Sequence, residues 1–159
     1  MIVKNILDED FVNYKKPSML IAFPSCSFKC ERDCGRRVCQ NSTLAVSPSH
    51  NISVSYVADR YLQNPITQAV ICGGLEPFDS WHDLYELVGY LRDHTEDDIV
   101  IYTGYTEEEC ASMGYINQLS VYPNIIVKFG RYVPDQDSHY DGVLGIKLAS
   151  PNQYARQIS

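Results

Sequence analysis

Four of the chain's six cysteines fall within Cys26-Ser-Phe-Lys-Cys30-Glu-Arg-Asp-Cys34-Gly-Arg-Arg-Val-Cys39. Thiols packed this closely suit three kinds of chemistry. A disulfide staple is disfavoured, because a chain of this length can bury a core without bridges and nothing before the loop reads as a signal peptide. All-cysteine zinc sites usually consist of two CxxC knuckles separated by a longer spacer, and this loop contains no CxxC. An iron-sulfur cluster suits soft thiolates on a flexible loop, converging from several directions. Three ligands would leave one iron open and reactive, whereas four would close the cluster. The residue types favour iron-sulfur chemistry and leave zinc as the alternative.

The elements that position these thiols follow from apolar periodicity. Residues 19–23 are a continuous apolar run ended by Pro24, which predicts a strand delivering the cysteine loop from its end, where open α/β sheets hold their chemistry. Upstream, residues 2–7 read as a first strand or edge piece, and Asp8-Glu-Asp10 as a solvated turn. Residues 42–52 read as connecting coil. Val54, Val57, Ala58, Tyr61 and Leu62 then recur at helical spacing behind an N-cap at Ser53, and Pro65 ends the helix. A short strand over 69–72 runs into Gly73-Gly-Leu-Glu-Pro77. Two glycines and a carboxylate make a turn where backbone can approach a ligand and Glu76 can accept hydrogen bonds, although backbone geometry alone also calls for glycine at strand ends.

Ser80-x-x-Asp83 resembles a capping arrangement before a helix whose face is Trp81, Leu84, Tyr85, Val88 and Leu91, with the aromatics read as core. A strand over 98–104 follows, and Thr106-x-x-Glu109 caps a short helix reaching Met113. Strands alternating with helices predict an α/β fold with right-handed crossovers and a mainly parallel sheet. Cys72 reads as buried sulfur, and His82 and His94 as exposed histidines without a ligand role.

Composition bounds the function. With Lys+Arg 13 against Asp+Glu 20, the net charge of −7 argues against nucleic-acid and anionic-membrane binding. No apolar run approaches the roughly 20 residues a membrane span needs. The sequence shows no nucleophile elbow and no Walker-type phosphate loop. Unpaired thiols in this number point to a reducing, cytoplasmic setting.

The cysteine segment resembles the cluster loop of radical S-adenosylmethionine (SAM) enzymes, CxxxCxΦC. Cys26 and Cys30 match its first two positions. Cys39 takes the third, preceded by Val38 and followed by Gln40-Asn41, with residues 31–37 as an insertion and Cys34 as the alternative third ligand. Gly73-Gly74-Leu75-Glu76-Pro77 resembles the GGEP motif that lies along the methionine end of SAM, with Leu75 inserted. Tyr102-Thr-Gly-Tyr105 is similar to the YTGY segment of the small glycyl-radical activating enzymes of anaerobic (class III) ribonucleotide reductases. Residues 125–132 resemble their V-D-G-x-Y/F strand, with Lys128-Phe129 replacing the acidic residue before Gly130. Ser150-Pro-Asn-Gln153 is similar to their tail.

This resemblance, over residues 18 to 158, implies a partial (β/α) barrel of radical SAM type with fewer than eight strands. It implies one domain over 1–159, with its cluster loop at 24–42. It further implies a [4Fe-4S] cluster on Cys26, Cys30 and Cys39, and SAM bound against Gly73, Gly74, Glu76, Tyr102 and Thr103. Cluster and SAM, rather than a catalytic side chain, would carry the chemistry: reductive cleavage of SAM to methionine and a 5′-deoxyadenosyl radical. The implied partners are a large glycyl radical enzyme, the catalytic subunit of anaerobic ribonucleotide reductase, and a flavodoxin- or ferredoxin-type electron donor. A radical SAM enzyme acting on a small molecule and a noncatalytic zinc-binding module are the rival readings.

Overall fold

The computed structural model describes residues 1–159. The chain begins with β1 (Ile2–Val3), β2 (Asn5–Asp10) and β3 (Ser18–Phe23), then α1 (Lys29–Cys34), α2 (Ser42–Val46) and β4 (His50–Asn51). It continues through α3 (Val54–Leu62), β5 (Ala69–Gly74), a 3-10 turn (Pro77–Ser80), α4 (Trp81–Arg92) and β6 (Asp98–Tyr102). The last elements are α5 (Glu107–Ser112), α6 (Tyr115–Leu119), β7 (Ile125–Phe129), β8 (His139–Asp141), β9 (Ile146–Leu148) and β10 (Tyr154–Gln157).

Six strands form one sheet in the order β10-β7-β6-β5-β3-β2. The inner strands β3, β5, β6 and β7 are parallel and sit in consecutive order. Right-handed crossovers between consecutive parallel neighbours place every crossover helix on the same face. The packing agrees: α3, α4, α5 and α6 all contribute to one apolar cluster with Met19, Ile21, Phe23, Val70, Cys72, Ile99, Ile101, Ile125, Val127 and Phe129. The alternate residues Leu20, Ile71, Val100 and Ile126, with Ala155 of β10, face the other side, covered by Tyr14, Leu144 and Leu148 rather than by a helix. Strands buried on both faces read as unbroken apolar runs, which is why these four stand out in the sequence.

The expectation of a mainly parallel sheet is corrected at both edges: β2 runs antiparallel to β3, and β10 antiparallel to β7, so the sheet is mixed. Asp8-Glu9-Asp10 ends β2 rather than forming a solvated turn. Asp8 pairs with Arg60, and Asp10 is buried, its carboxylate accepting from the backbone of Val12 and Asn13. The expected coil over 42–52 contains α2 and β4, the latter paired with β1.

Helix α3 starts as its cap predicts, with Ser53 Oγ accepting from the Tyr56 backbone N–H at 3.1 Å. Both halves of the Thr106–Glu109 capping box form. Ser80 makes no capping hydrogen bond, since it ends the 3-10 turn rather than standing in extended backbone ahead of the helix, and Asp83 turns its carboxylate to the backbone N–H of Ile2 at 2.8 Å. Trp81 stacks on Tyr115 with ring centroids 4.0 Å apart, a core contact between α4 and α6.

Candidate iron-sulfur site

The parallel strands all end at the same rim, and each hands the chain to a site segment. β3 delivers the cysteine loop, β5 the glycine turn, β6 Thr103-Gly104-Tyr105, and β7 Gly130-Arg131. Together they line a cavity of about 550 Å³ on the face without helices. Its floor is a row of side-by-side residues, Ala22, Gly73, Tyr102 and Lys128: Ala22 pairs with Gly73, Tyr102 pairs with Lys128, and a Cβ on Gly73 would lie 3.5 Å from that of Tyr102.

The cysteine loop is folded rather than irregular. Phe28 adopts a left-handed conformation (φ 52°) and starts α1, which carries Cys30 and Cys34 one turn apart. The Phe28 backbone N–H points at Cys26 Sγ, 3.2 Å away. Cys26, Cys30 and Cys39 line the 550 Å³ cavity, whereas Cys34 lines a neighbouring cavity of about 390 Å³ that shares Cys30. All four thiols are free and half-buried, while Cys72 and Cys110 are buried in the core.

Three contacts bind the loop to the glycine turn. The Glu76 backbone N–H donates to Ser25 O at 2.7 Å, the Ser27 N–H to the Asp79 carboxylate, and the Asn41 amide to Gly74 O. A polar network fixes α1 from the other side. Glu109 joins Lys29 (3.1 Å) and Arg131 (2.6 Å), and Arg131 also pairs with Asp33. Despite burial, which works against ionisation, hydrogen bonds from Arg131, Thr106 and Lys29 hold the Glu109 carboxyl down at about 2.

The two glycines differ. Gly74 has φ +81°, and a Cβ there would lie 2.7 Å from Ala22 Cβ, so backbone geometry and close packing both require glycine. Gly73 is free of such constraint and leaves bare backbone on the cavity floor. Glu76 is buried, and its carboxylate accepts from Thr103 Oγ1 (2.8 Å), the Gly104 N–H (2.8 Å) and the Phe78 N–H (3.2 Å). Burial raises its carboxyl to about 7 against the pull of those bonds. Thr103 is thereby committed to Glu76 rather than to the open cavity. The Tyr102 hydroxyl donates to Asn13 O, leaving the side chain to form cavity wall.

A family described as a 4Fe-4S single cluster domain, a radical SAM-associated iron-sulfur family, matches residues 18–144. The chain belongs to this family. No curated protein and no solved structure matches it. The matched residues run from the first residue of β3 to Leu144, so this 4Fe-4S domain contains the cysteine loop, the glycine turn and the four parallel strands.

The donor set fits a cluster better than a single ion. A tetrahedral zinc at ~2.3 Å from each sulfur sets the sulfurs roughly 3.8 Å apart. In the domain, the only three His, Cys, Asp or Glu ligand atoms mutually within 4.8 Å belong to His82, Asp83 and Glu86, on the surface of α4. No three loop thiols stand that close together, and it is the family match that assigns the domain a 4Fe-4S cluster. Burial and the nearby Glu76 and Asp79 charges push the Cys26 thiol up to about 12, and burial with Cys39 raises Cys30. Cluster iron reverses that balance, since a coordinating thiol is deprotonated outright.

Sequence reasoning missed Asp79, Lys29, Glu109 and Arg131, whose roles depend on contacts distant in the chain. It also passed over Lys128 as a site residue. A lysine inside the fully buried strand Ile125–Phe129 was the available signal.

Proposed function

We propose that this 4Fe-4S protein is a radical SAM activating enzyme. In this reading it holds its cluster on Cys26, Cys30 and Cys39 and generates a glycyl radical on a partner, the catalytic subunit of anaerobic ribonucleotide reductase. One observation carries the reading: three loop thiols share a cavity with the glycine turn, while the fourth, Cys34, lines another. When bound, a three-thiolate cluster supplies an open iron and the single electron that breaks the sulfonium bond to the 5′ carbon.

The chain's own residues bind, orient and exclude. Gly73 offers bare backbone to the methionine end, and Glu76 has one acceptor position beyond its three internal donors, suited to an ammonium. Tyr102, Ile71 and Leu148 give the cavity an apolar wall that keeps water from a reactive radical. The six-stranded sheet, in this reading, is the incomplete barrel of the resemblance, and its helix-free face admits the partner's glycine loop. Arg32, Arg36 and Arg37, exposed on the inserted segment, supply a local basic edge for that partner.

Anaerobic reconstitution tests the reading. The protein is expected to be brown with about four irons per chain. With reductant and SAM it is expected to release 5′-deoxyadenosine and to leave an organic radical signal on the reductase subunit. A colourless zinc protein would overturn the cluster assignment. Cleavage without radical transfer would favour a small-molecule substrate instead.

A further inference from the structure

The cavity holds one charged group that the proposed function leaves without a task. Lys128, on the floor row with Gly73 and Tyr102, is only 6% exposed. Its ammonium has three donors and one protein acceptor, Gly130 O at 2.8 Å. It forms no ion pair, whereas Lys29 and Arg131, which also line the cavity, are bound by Glu109 and Asp33. Burying an ammonium without a counter-charge is unfavourable, and burial lowers its pKa to about 8. An apolar residue would fill the same strand position without that cost. The charge that Lys128 does feel is Glu76, whose oxygens are already engaged by Phe78, Thr103 and Gly104. One cavity is thus lined by a carboxylate and an ammonium that share no hydrogen bond or ion pair, the complement of a zwitterion.

We propose that Lys128 is the carboxylate-binding residue of this cavity, receiving the α-carboxylate of an amino-acid ligand whose ammonium end meets Glu76. In the reading above, on which this rests, the ligand is the methionine end of SAM. The acidic residue of the resembled strand would attract an ammonium at this place; lysine inverts the polarity, so the two ends of the zwitterion are sorted by Glu76 and Lys128.

Anaerobic calorimetry on cluster-loaded wild type and Lys128→Met, with SAM and with its decarboxylated analogue, tests the assignment. The substitution is expected to weaken SAM by about tenfold or more, the range of a hydrogen bond to a charged group, and to leave the decarboxylated analogue unaffected. Iron content and the melting temperature of the ligand-free variant are expected to equal or exceed those of wild type. Equal SAM affinity in both proteins, an equal loss for both ligands, or a variant that loses iron or melts lower would each overturn it, the last marking a structural lysine. If SAM does not bind wild type at all, the SAM reading falls. Free methionine then decides: raising the melting temperature of wild type and not of Lys128→Met upholds the carboxylate site, and no such difference removes it.

Discussion

On the helix side of the sheet, Ile99, Ile101, Ile125, Val127 and Phe129 pack into one apolar cluster with Leu84, Leu87, Val88 and Leu91 of α4. One residue along the same strands, on the opposite side, stand Tyr102 and Lys128, and β5 contributes Gly73. The first face repeats one chemical class, the bulky hydrocarbon side chain, because only exclusion of water is asked of it. The second varies at every strand, with a small residue beneath the thiols, an aromatic in the middle and a cation at the far end. Below that row the second face is apolar too, with Ile71, Val100 and Ile126 under Tyr14, Leu144 and Leu148, so the polar and aromatic variation is confined to the rim where the strands end.

The sharpest way to break that division is through the thiols. Cys39→Ala is expected to abolish iron loading and SAM cleavage while the chain stays folded, and Cys34→Ala to keep both, read by iron content after anaerobic reconstitution. The opposite pattern would move the third ligand to Cys34 and join the two neighbouring cavities into one site.

A smaller effect is expected from the other face. Leu84→Ala should lower stability by roughly 2–5 kcal/mol, since it removes a fully buried side chain from a close-packed cluster. Iron bound per folded chain should not change. Urea unfolding measures the first and metal analysis the second; a fall in both would show that the faces are not separable.

Smallest and most graded is a pH effect at the junction. Burial lifts the Glu76 carboxyl from 4.5 to about 7. With its folded-state value above its unfolded one, its contribution is fully present below about pH 4.5 and disappears as pH rises through about 7. Wild-type stability is expected to lose up to ~1.4 kcal/mol per pH unit across that window, and Glu76→Gln to flatten the slope. Urea midpoints across the same window check it, and parallel profiles would assign the slope to another group.

The inner strands and the two long helices were legible because burial on one or both faces leaves a periodic trace, as at Val54, Val57, Ala58 and Tyr61. The sheet edges were legible only in part. Residues 2–7 read as a first strand or edge piece, but Asp8 and Glu9 disguise the end of β2, and in β10 only Ala155 is buried, so it carries no apolar run. Helix α1 has no buried residue and thus no periodicity to read. At the site, the thiols and glycines announced themselves by type and spacing. The carboxylate network that holds them did not, because Asp79, Glu109 and Arg131 acquire meaning only when the sheet brings separate strand ends together. Ser80-x-x-Asp83 had the letters of a cap, but a long-range contact to Ile2 claimed its acid.

The fastening of the cysteine loop to the glycine turn has an engineering corollary. Ser25, Ser27 and Asn41 grip that turn and its Asp79 from successive points along the loop, so the two segments form one interlocking part. A graft of residues 24–42 onto a foreign α/β scaffold would arrive without its seat. Transplanting a working cofactor socket from this protein requires cutting out both pieces, 24–42 and 73–79, and setting them on adjacent parallel strands.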